Sequence, residues 1–300
     1  MMFLIVTRNF PPDIGGIQSL MGGLSRNLLN HGPVKVFANH FPNSNIYDTK
    51  SQMNIERVKG IKLFSKYRKA ILVNNFLKES NNIRAVLADH WKSLELLNKE
   101  YLNKSKTICL IHSKEINSEV GTSLNKRLIK SIAKADFVVA NSHFTKELAI
   151  KVGINSSKIK VIYPGIEKPV PVEDKFNIQA EQIYKDSFPK IITVARLDKR
   201  KGHEKILMNI RNLKNKFPKI KYISIGTGEE EDSLNKLTKE LKLKNEVVFF
   251  SRLEEKLKNA LIANSNLFLM PTIIYKKSVE GFGISYIEAA SYGIASIGGK

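Results

Sequence analysis

Short apolar runs alternate with amphipathic stretches along almost the whole sequence, and this alternation restricts the fold more than any other feature. Runs such as FLIV at residues 3–6 and ICLI at residues 108–111 are long enough for one buried strand each. Between such runs, apolar residues recur three or four positions apart, as at Ile206, Ile210, Leu213 and Phe217, which is typical of amphipathic helices. The pattern predicts an α/β fold made of doubly wound, mainly parallel sheets.

Chain length and proline placement predict two Rossmann-like domains. The chain has 300 residues, and domains average roughly 150 residues. We expect a first domain over residues 1–165, a proline-rich linker over 166–189 and a second domain over 190–300. Such domains would face each other across a cleft lined by the carboxyl ends of their strands. The strand candidates are 3–7, 34–38, 61–64, 85–88, 107–111, 137–140, 160–163, 191–195, 222–226, 247–250, 267–270 and 295–297. The helix candidates are 18–30, 123–134, 143–152 (with Ser142 as its cap), 203–217, 229–241, 254–263 and 283–292.

The charge balance favours polyanionic partners. Lys and Arg number 49 against 28 Asp and Glu, for a formal net charge of +21. Nucleotides, anionic lipid surfaces and nucleic acid all fit this charge, and a biased composition without a binding face remains an equal alternative. Because the basic residues are dispersed and no helix-turn-helix, zinc-finger or aromatic RNA-binding signature is found, we expect no nucleic-acid partner.

Cysteine content and the N-terminus indicate a cytoplasmic protein. The single cysteine, Cys109, lies in an apolar run, which predicts core packing in a reducing compartment. The N-terminal apolar run lacks a basic flank and a cleavage site, so it is interpreted as a buried strand. No window approaches the roughly 18 apolar residues of a membrane span. The chain is therefore expected to be soluble or at most peripheral on a membrane.

Two basic or glycine-containing turns are candidates for phosphate binding. FPPDIGGIQSL at residues 10–20 places Gly15 and Gly16 before a helix, where the backbone and the helix amides can approach an anion. VARLDKRKG at residues 194–202 places Arg196 and Lys201 where both can reach one diphosphate, with Lys199 and Arg200 facing solvent. The alternatives are a tight strand-to-helix turn and a solvated basic turn.

The most specific motif is VEGFGISYIEAASYG at residues 279–293. Glu280 and Glu288 flank the start of a helix that Gly281 and Gly283 open and Gly293 closes. Helix-start amides bind phosphate, and a carboxylate accepts hydrogen bonds from sugar hydroxyls. The alternative is that both acids are merely favoured by the helix dipole.

These motifs, in this order, resemble the retaining glycosyltransferases of family 4. The resemblance rests on Phe-Pro-Pro with Gly-Gly, ANSHFTKELAIKVGI with KVIYPGIE, VARLDKRKG and the Glu-x7-Glu block, and it runs from about residue 3 to the end. It implies a GT-B fold of two Rossmann-like domains. It also implies transfer of a sugar from a nucleotide diphosphate to an acceptor hydroxyl with retention of configuration.

The resemblance assigns roles to particular residues. It places Gly15 and Gly16 beside the diphosphate and the sugar, and His112 at a sugar or acceptor hydroxyl. Arg196 and Lys201 would contact the diphosphate, Glu280 the transferred sugar and Glu288 the ribose. The loop over the phosphates would consist of Gly281, Phe282 and Gly283. His90 is either near the acceptor or a plain strand-end histidine. The polar stretch 42–60 is where acceptor-binding loops would lie.

The resemblance also implies the partners. It implies a nucleotide-sugar donor, a saccharide or lipid-linked acceptor, peripheral contact with the inner face of an anionic membrane, and a place in surface polysaccharide or glycolipid assembly. No metal or other cofactor is expected, because the basic pair would neutralise the leaving diphosphate and no His/Asp cluster has ligand spacing.

The family normally continues beyond the Gly-Gly that here precedes Lys300, so a truncated or shortened second domain is expected, with lower stability. This keeps open the alternative of a nucleotide-sugar or polyanion-binding protein without turnover.

Overall fold

The computed structural model describes residues 1–61 and 64–299, and the chain divides into two units, Met1–Gly165 and Ile166–Lys300. The strands of the first unit are β1 (Met2–Val6), β2 (Val34–Asn39), β3 (Asn54–Val58), β4 (Ile83–Ala88), β5 (Lys106–Ile111), β6 (Phe137–Ala140) and β7 (Ile159–Val161). Its helices are α1 (Gly16–Leu29), α2 (Ser44–Lys50), α3 (Ser65–Glu79), α4 (Trp91–Leu94), α5 (Lys99–Leu102), α6 (Ser123–Ile132) and α7 (His143–Lys151).

The second unit repeats the alternation of strands and helices. Its strands are β8 (Lys190–Val194), β9 (Lys221–Ile225), β10 (Val247–Phe250), β11 (Leu267–Met270) and β12 (Ser296–Gly298). Its helices are α8 (Asp174–Tyr184), α9 (His203–Leu213), α10 (Glu231–Glu240), α11 (Glu255–Ala263) and α12 (Ile284–Ser291).

Each unit contains one parallel sheet. Within the described residues, the first sheet has the order β3-β2-β1-β4-β5-β6-β7 and the second has the order β10-β9-β8-β11-β12. Every pair of neighbouring strands within these two sheets is parallel. The predicted fold class is therefore confirmed, and in each sheet the strand order reverses at one point, between β1 and β4 or between β8 and β11.

Both faces of each sheet are covered, which explains the almost continuous apolar character of the strands. In β1, Leu4 packs with α3 residues such as Val73, whereas Ile5 packs with Met21 of α1. In β8, Ile192 packs with Phe176 of α8, and its neighbour Ile191 packs with α9 residues such as Leu207. Helices on both faces make each unit a doubly wound layer structure.

Residues 166–189, expected as a linker, contain a helix of the second unit. Phe176, Ala180 and Tyr184 of α8 are buried in one core cluster, and the Tyr184 hydroxyl donates to the Leu261 carbonyl over 3.1 Å. The prolines of this segment lie before and after α8 and leave its interior free of helix breakers. These three residues recur at every fourth position, which is a helical pattern, but the proline content of the segment led to its interpretation as a linker.

The polar stretch 42–60 contains helix α2 and edge strand β3 rather than loops alone. The third strand in chain order is β3, earlier in the chain than the strand expected at 61–64. Residues 61 and 64 belong to no strand, and residues 62 and 63 lie outside the described residues. The β3 sequence NIERV has exposed and half-buried positions because it lies at the edge of the sheet, and its apolar signal is correspondingly weak.

Two local predictions hold. The Ser142 hydroxyl accepts a hydrogen bond from the Thr145 amide over 3.1 Å, so Ser142 caps α7. Cys109 is fully buried in β5, and burial raises the pKa of its thiol well above the ordinary value, as expected of core packing. Among the described residues, no helix combines the length and the apolar character that a membrane crossing requires.

Candidate functional site

The point where strand order reverses is the place where parallel sheets of this kind bind ligands, at the carboxyl ends of the strands. In the second unit this point lies between β8 and β11. The basic turn after β8 and the glycine-acid segment after β11 both extend from it.

Lys201 and Glu280 form an ion pair at the reversal point of the second sheet. The Lys201 Nζ lies 2.5 Å from Glu280 Oε2 and 3.4 Å from Sδ of Met270, the last residue of β11. Lys201 is only 8% exposed. Burial lowers its pKa, whereas the Glu280 carboxylate opposes that shift. Two predicted site residues distant in sequence are thus brought together.

Arg200 is part of the same cluster, and its predicted exposure was wrong. Its side chain is 11% exposed, and its Nη1 donates to the same Glu280 oxygen that Lys201 contacts. Residues 199–201 form a short 3-10 turn that directs the last two side chains inward and leaves Lys199 exposed, as predicted for Lys199. Three consecutive basic residues gave no sequence signal for which of them would be buried.

Arg196 lies at the open end of this cluster. Its side chain is 68% exposed, and its Nη2 donates to Asp198 Oδ2 over 2.6 Å. The same Asp198 oxygen is 3.8 Å from Arg200 Nη2, so Asp198 links Arg196 to the Arg200, Lys201 and Glu280 cluster. The expected convergence of Arg196 and Lys201 on one anion stays a prediction.

The basic turn is fixed by a glycine and a buried histidine that the sequence did not single out. Gly202 has φ +75°, and a Cβ there would lie 2.3 Å from the Pro271 carbonyl oxygen. His203 is 2% exposed, with Nε2 3.1 Å from the Arg196 carbonyl and Nδ1 3.2 Å from the Tyr222 hydroxyl. Burial lowers the pKa of His203 to about 4, so the imidazole supports the turn in its neutral form at neutral pH.

The glycine-acid segment turns sharply into α12. Gly283 has φ +83°, and a Cβ there would lie 2.6 Å from the Tyr286 ring. Gly281 is buried and Phe282 half-buried before this turn. The Glu288 carboxylate lies in α12, 4.0 Å from Lys258 Nζ, and its side chain is 31% exposed. Glu280 and Glu288 therefore belong to separate ion pairs in this structure.

The Gly-Gly turn of the first unit leads directly into α1. Helix α1 begins at Gly16, and its Gly15 cap position provides no side-chain hydrogen bond to the first amides. Gly16 is exposed and Gly15 half-buried. The first amides of a helix without such a cap can bind an anion, which is the role predicted here.

His112 follows β5 and is held against the carboxyl end of the neighbouring strand β4. Its Nε2 lies 2.9 Å from the Asp89 carbonyl oxygen, at the end of β4. Because a carbonyl only accepts, Nε2 carries the proton, and Nδ1 is the acceptor atom of the neutral ring. The Asp89 carboxylate accepts from the Thr7 hydroxyl over 2.8 Å and from the Arg8 amide over 2.9 Å, which ties β4 to β1.

His90 has a local structural role. Its Nδ1 accepts a hydrogen bond from the Lys92 amide over 2.9 Å and so caps α4. Burial lowers its pKa to about 3. The cap hydrogen bond favours the strand-end interpretation of His90. Across residues 1–61 and 64–299, no three His, Cys, Asp or Glu side chains cluster in a way that could hold a metal ion.

Two family models match this chain, each within one of its units. The model described as Glycosyltransferase Family 4 matches residues 14–168, and the model described as Glycosyl transferases group 1 matches residues 174–300.

Two curated relatives illustrate the similarity. A GDP-mannose-dependent alpha-(1-6)-phosphatidylinositol monomannoside mannosyltransferase of Mycolicibacterium smegmatis is 23% identical over 306 residues, which cover 99% of this chain and 80% of that protein. The O-antigen biosynthesis glycosyltransferase WclY of Escherichia coli is 32% identical over 149 residues, covering 47% of this chain and 37% of that protein.

Solved structures share the fold. Anabaena HepE, crystallised with UDP, aligns with a TM-score of 0.78 at 17% identity, over 99% of this chain and 80% of that chain. A glycosyltransferase from Rickettsia africae aligns with a TM-score of 0.74 at 18% identity, over 99% of this chain and 78% of that chain. The two parallel α/β units are thus those of GT-B glycosyltransferase structures.

Proposed function

We propose that this chain, which belongs to Glycosyltransferase Family 4, transfers a sugar from a nucleotide diphosphate sugar to an acceptor hydroxyl with retention of anomeric configuration. The observation that carries the proposal is the cluster of Lys201, Arg200 and Glu280 where the second sheet reverses its strand order. Two cations and a carboxylate at a ligand-binding edge can serve both a phosphate group and a sugar hydroxyl.

The donor would be bound mainly by the second unit. Lys201 and Arg196 would contact the diphosphate, and Arg200, already beside Glu280, would add charge there. Glu280 would exchange part of its ion pairing for the transferred sugar, and Glu288 would accept from the ribose. Backbone amides of residues 281–283 and of the turn at Gly15 and Gly16 would complete the phosphate contacts.

The chemistry proposed is attack of the acceptor on the face from which the diphosphate leaves. The C–O bond from the sugar to the diphosphate breaks, the acceptor oxygen forms the new bond, and the acceptor proton passes to the leaving diphosphate. Cations fixed before the reaction stabilise the negative charge that develops on that group. His112 would accept from a sugar or acceptor hydroxyl through Nδ1. We expect no metal requirement, because Arg196, Arg200 and Lys201 supply the positive charge.

The acceptor proposed is a saccharide or a lipid-linked saccharide in surface polysaccharide or glycolipid assembly. Relatives named as phosphatidylinositol mannoside and O-antigen enzymes support this class. We further propose a cytoplasmic protein with peripheral contact to an anionic membrane. The net charge of +21 supports that contact, as does the exposure of Phe64, Tyr67 and Ile71 along one face at the start of α3.

The function is tested with purified protein and a panel of nucleotide sugars, by measuring sugar transfer and release with EDTA present throughout. In Arg196→Ala, turnover should fall roughly 100- to 1000-fold, as for loss of one transition-state donor. Lys199→Ala, which removes an exposed cation from the same turn, is the matched control and should retain activity. Unimpaired turnover in Arg196→Ala, or loss of wild-type turnover in EDTA, would contradict the mechanism. Calorimetric binding of a nucleoside diphosphate without turnover would instead support a binding protein.

A further inference from the structure

The turn between β1 and α1, residues 10–16, is held in place by a side chain from a distant strand. Arg57 of β3 donates from Nη2 to the Pro11 carbonyl over 2.5 Å. Its guanidinium carbon also lies 5.4 Å from the centre of the Phe10 ring. Phe10 in turn packs edge-on against Tyr47 of α2, with ring centres 6.2 Å apart. One guanidinium therefore contacts both the backbone and the ring at the base of the turn.

Arg57 is itself fixed in a single orientation. Its Nε and Nη2 donate to the Asp48 carboxylate over 3.0 and 2.7 Å, a two-point fork. Its side chain is 6% exposed and that of Asp48 is 18% exposed. A third nitrogen, Nη1, lies 3.4 Å from the Asn39 carbonyl at the end of β2. The guanidinium thus joins α2, β2 and the turn, and a lysine amine lacks the fork needed for all three contacts.

The other side of the turn packs on α1. Gly22 of α1 lies against Pro11, because a Cβ at Gly22 would be 2.7 Å from Pro11 Cγ. Further along, Gln18 donates to Asp13 over 2.7 Å. The tip of the turn is free by contrast: Ile14 is 79% exposed and Gly16 is exposed. The base is fixed while the residues that would meet a ligand remain accessible.

We infer that Arg57, oriented by Asp48, is the positioning residue that fixes the Gly15 and Gly16 turn for contact with the donor diphosphate. This inference rests on the proposed function, because it is that function which places a diphosphate at the turn. Arg57 bonds to the base of the turn and acts through it, so it touches no ligand itself. Pre-ordering a binding turn improves affinity by reducing the entropy lost on binding.

The test compares Arg57→Lys and Asp48→Asn with Glu56→Gln. The control breaks the ion pair of Glu56 with Lys35, 2.8 Å long, on the same edge strand but away from the turn. Hydrogen exchange of the peptide spanning residues 11–18 is measured without ligand, and binding of UDP, GDP and ADP is measured by calorimetry. In both test variants the amides of this peptide should exchange roughly 10-fold faster than in the control, and the preferred diphosphate should bind roughly 10-fold more weakly. Both variants should also raise KM for the matching nucleotide sugar more than they lower kcat.

The outcomes separate the two proposals. Exchange in residues 11–18 at the control rate would overturn the inference whether or not the chain binds a nucleotide. Faster exchange with unchanged diphosphate affinity and KM would reduce Arg57 to a structural residue and also overturn it. Binding of none of the three diphosphates by the wild-type chain would overturn the proposed function and with it the donor role, while exchange would still show whether Arg57 holds the turn. If Arg57→Lys fails to fold, Asp48→Asn, which keeps the guanidinium, provides the comparison.

Discussion

At the scale of single residues, Glu280 neutralises two cations that the fold has largely removed from water. Lys201 and Arg200 both contact its Oε2, and their side chains are 10% and 11% exposed. Removing the charge of one partner leaves buried charges uncompensated. Glu280→Gln should therefore lower the free energy of unfolding by about 3 kcal/mol.

A nucleoside diphosphate should partly restore this stability, because its phosphates can take the place of the lost carboxylate. Thermal unfolding of Glu280→Gln with and without UDP, GDP or ADP measures both effects. Glu288→Gln is the matched stability control, since its partner Lys258 is 4.0 Å away and the pair is partly exposed. Glu288→Gln should lower the free energy of unfolding by less than about 1 kcal/mol. Equal losses in the two variants would show that the Glu280 cluster is no stronger than a surface pair.

His203 makes the stability of the second unit depend on pH. Burial lowers its pKa from 6.5 to about 4, so below pH 6.5 the unfolded chain binds a proton that the folded chain does not. The folded state should lose up to roughly 3 kcal/mol as the pH falls from 6.5 to 4. His203→Gln, which can still donate to the Arg196 carbonyl, should lose less stability than wild type over this range.

Urea unfolding at several pH values between 4 and 7 tests this prediction. The low-pKa His90 is present in both proteins, so the difference between them isolates His203. His143→Gln, which removes an exposed imidazole, is the control for replacing a histidine elsewhere in the chain. Parallel stability curves for His203→Gln and wild type would contradict the assignment of a buried neutral imidazole.

At the scale of elements, the junction of β8 with α9 depends on close backbone approach to β11. Gly202 and Gly293 have nearly the same left-handed φ, +75° and +76°. Of the two, only Gly202 is crowded, because a Cβ there would lie 2.3 Å from the Pro271 carbonyl oxygen. Gly293→Ala should cost only the conformational penalty, about 1 kcal/mol. Gly202→Ala should cost more, because the turn that carries Arg200 and Lys201 must move away from β11. Chemical denaturation compares the two variants, and equal costs would contradict the predicted steric conflict.

Helix α8 should behave as core of the second unit rather than as a connecting segment. Phe176 is 5% exposed, and Phe176→Ala should cost about 3 to 4 kcal/mol, as for other buried aromatic truncations. Ile178 on the same helix is 54% exposed, and Ile178→Ala should change stability by less than about 1 kcal/mol. Similar urea midpoints for the two variants would restore the interpretation of residues 166–189 as a linker.

Sequence patterns succeeded where burial dominates and failed where it is partial. Strands such as β1 and β5 lie between covered faces, so their apolar runs are continuous and easily recognised. Edge strand β3 lacks that signal. At the site, motif spacing predicted Lys201 and Glu280. The inward orientation of Arg200 depends on a 3-10 turn packed on β11. The support that His203 gives to this turn depends on long-range contacts. Neither can be obtained from local composition.

At the scale of the whole molecule, the net charge of +21 is a property that no single site explains. The Lys201 and Glu280 cluster uses only a few of the basic residues, and most of the others lie on the surface. A charge of this size attracts anionic surfaces over roughly 10 Å at moderate ionic strength. If the net charge results from biased composition alone, no particular face of the protein should be preferred when it binds an anionic surface.

A membrane-docking face on the first unit predicts selective binding instead. Tyr67 and Ile71, 49% and 59% exposed, lie on α3 beside the exposed cations Lys66 and Arg68. The double variant Tyr67→Ala with Ile71→Ala should sediment several-fold less with phosphatidylglycerol vesicles than a matched control. The control is Ile178→Ala with Met208→Ala, which removes exposed apolar side chains from the second unit. Wild-type binding should fall as salt is raised and be absent with phosphatidylcholine alone, because each cation near an anionic surface contributes about 1 kcal/mol that salt screens. Equal sedimentation of the two double variants would show that the protein binds vesicles through its overall charge and not through a docking face on α3. Equally salt-sensitive retention on duplex DNA would favour a polyanion-binding protein that does not distinguish lipid from nucleic acid.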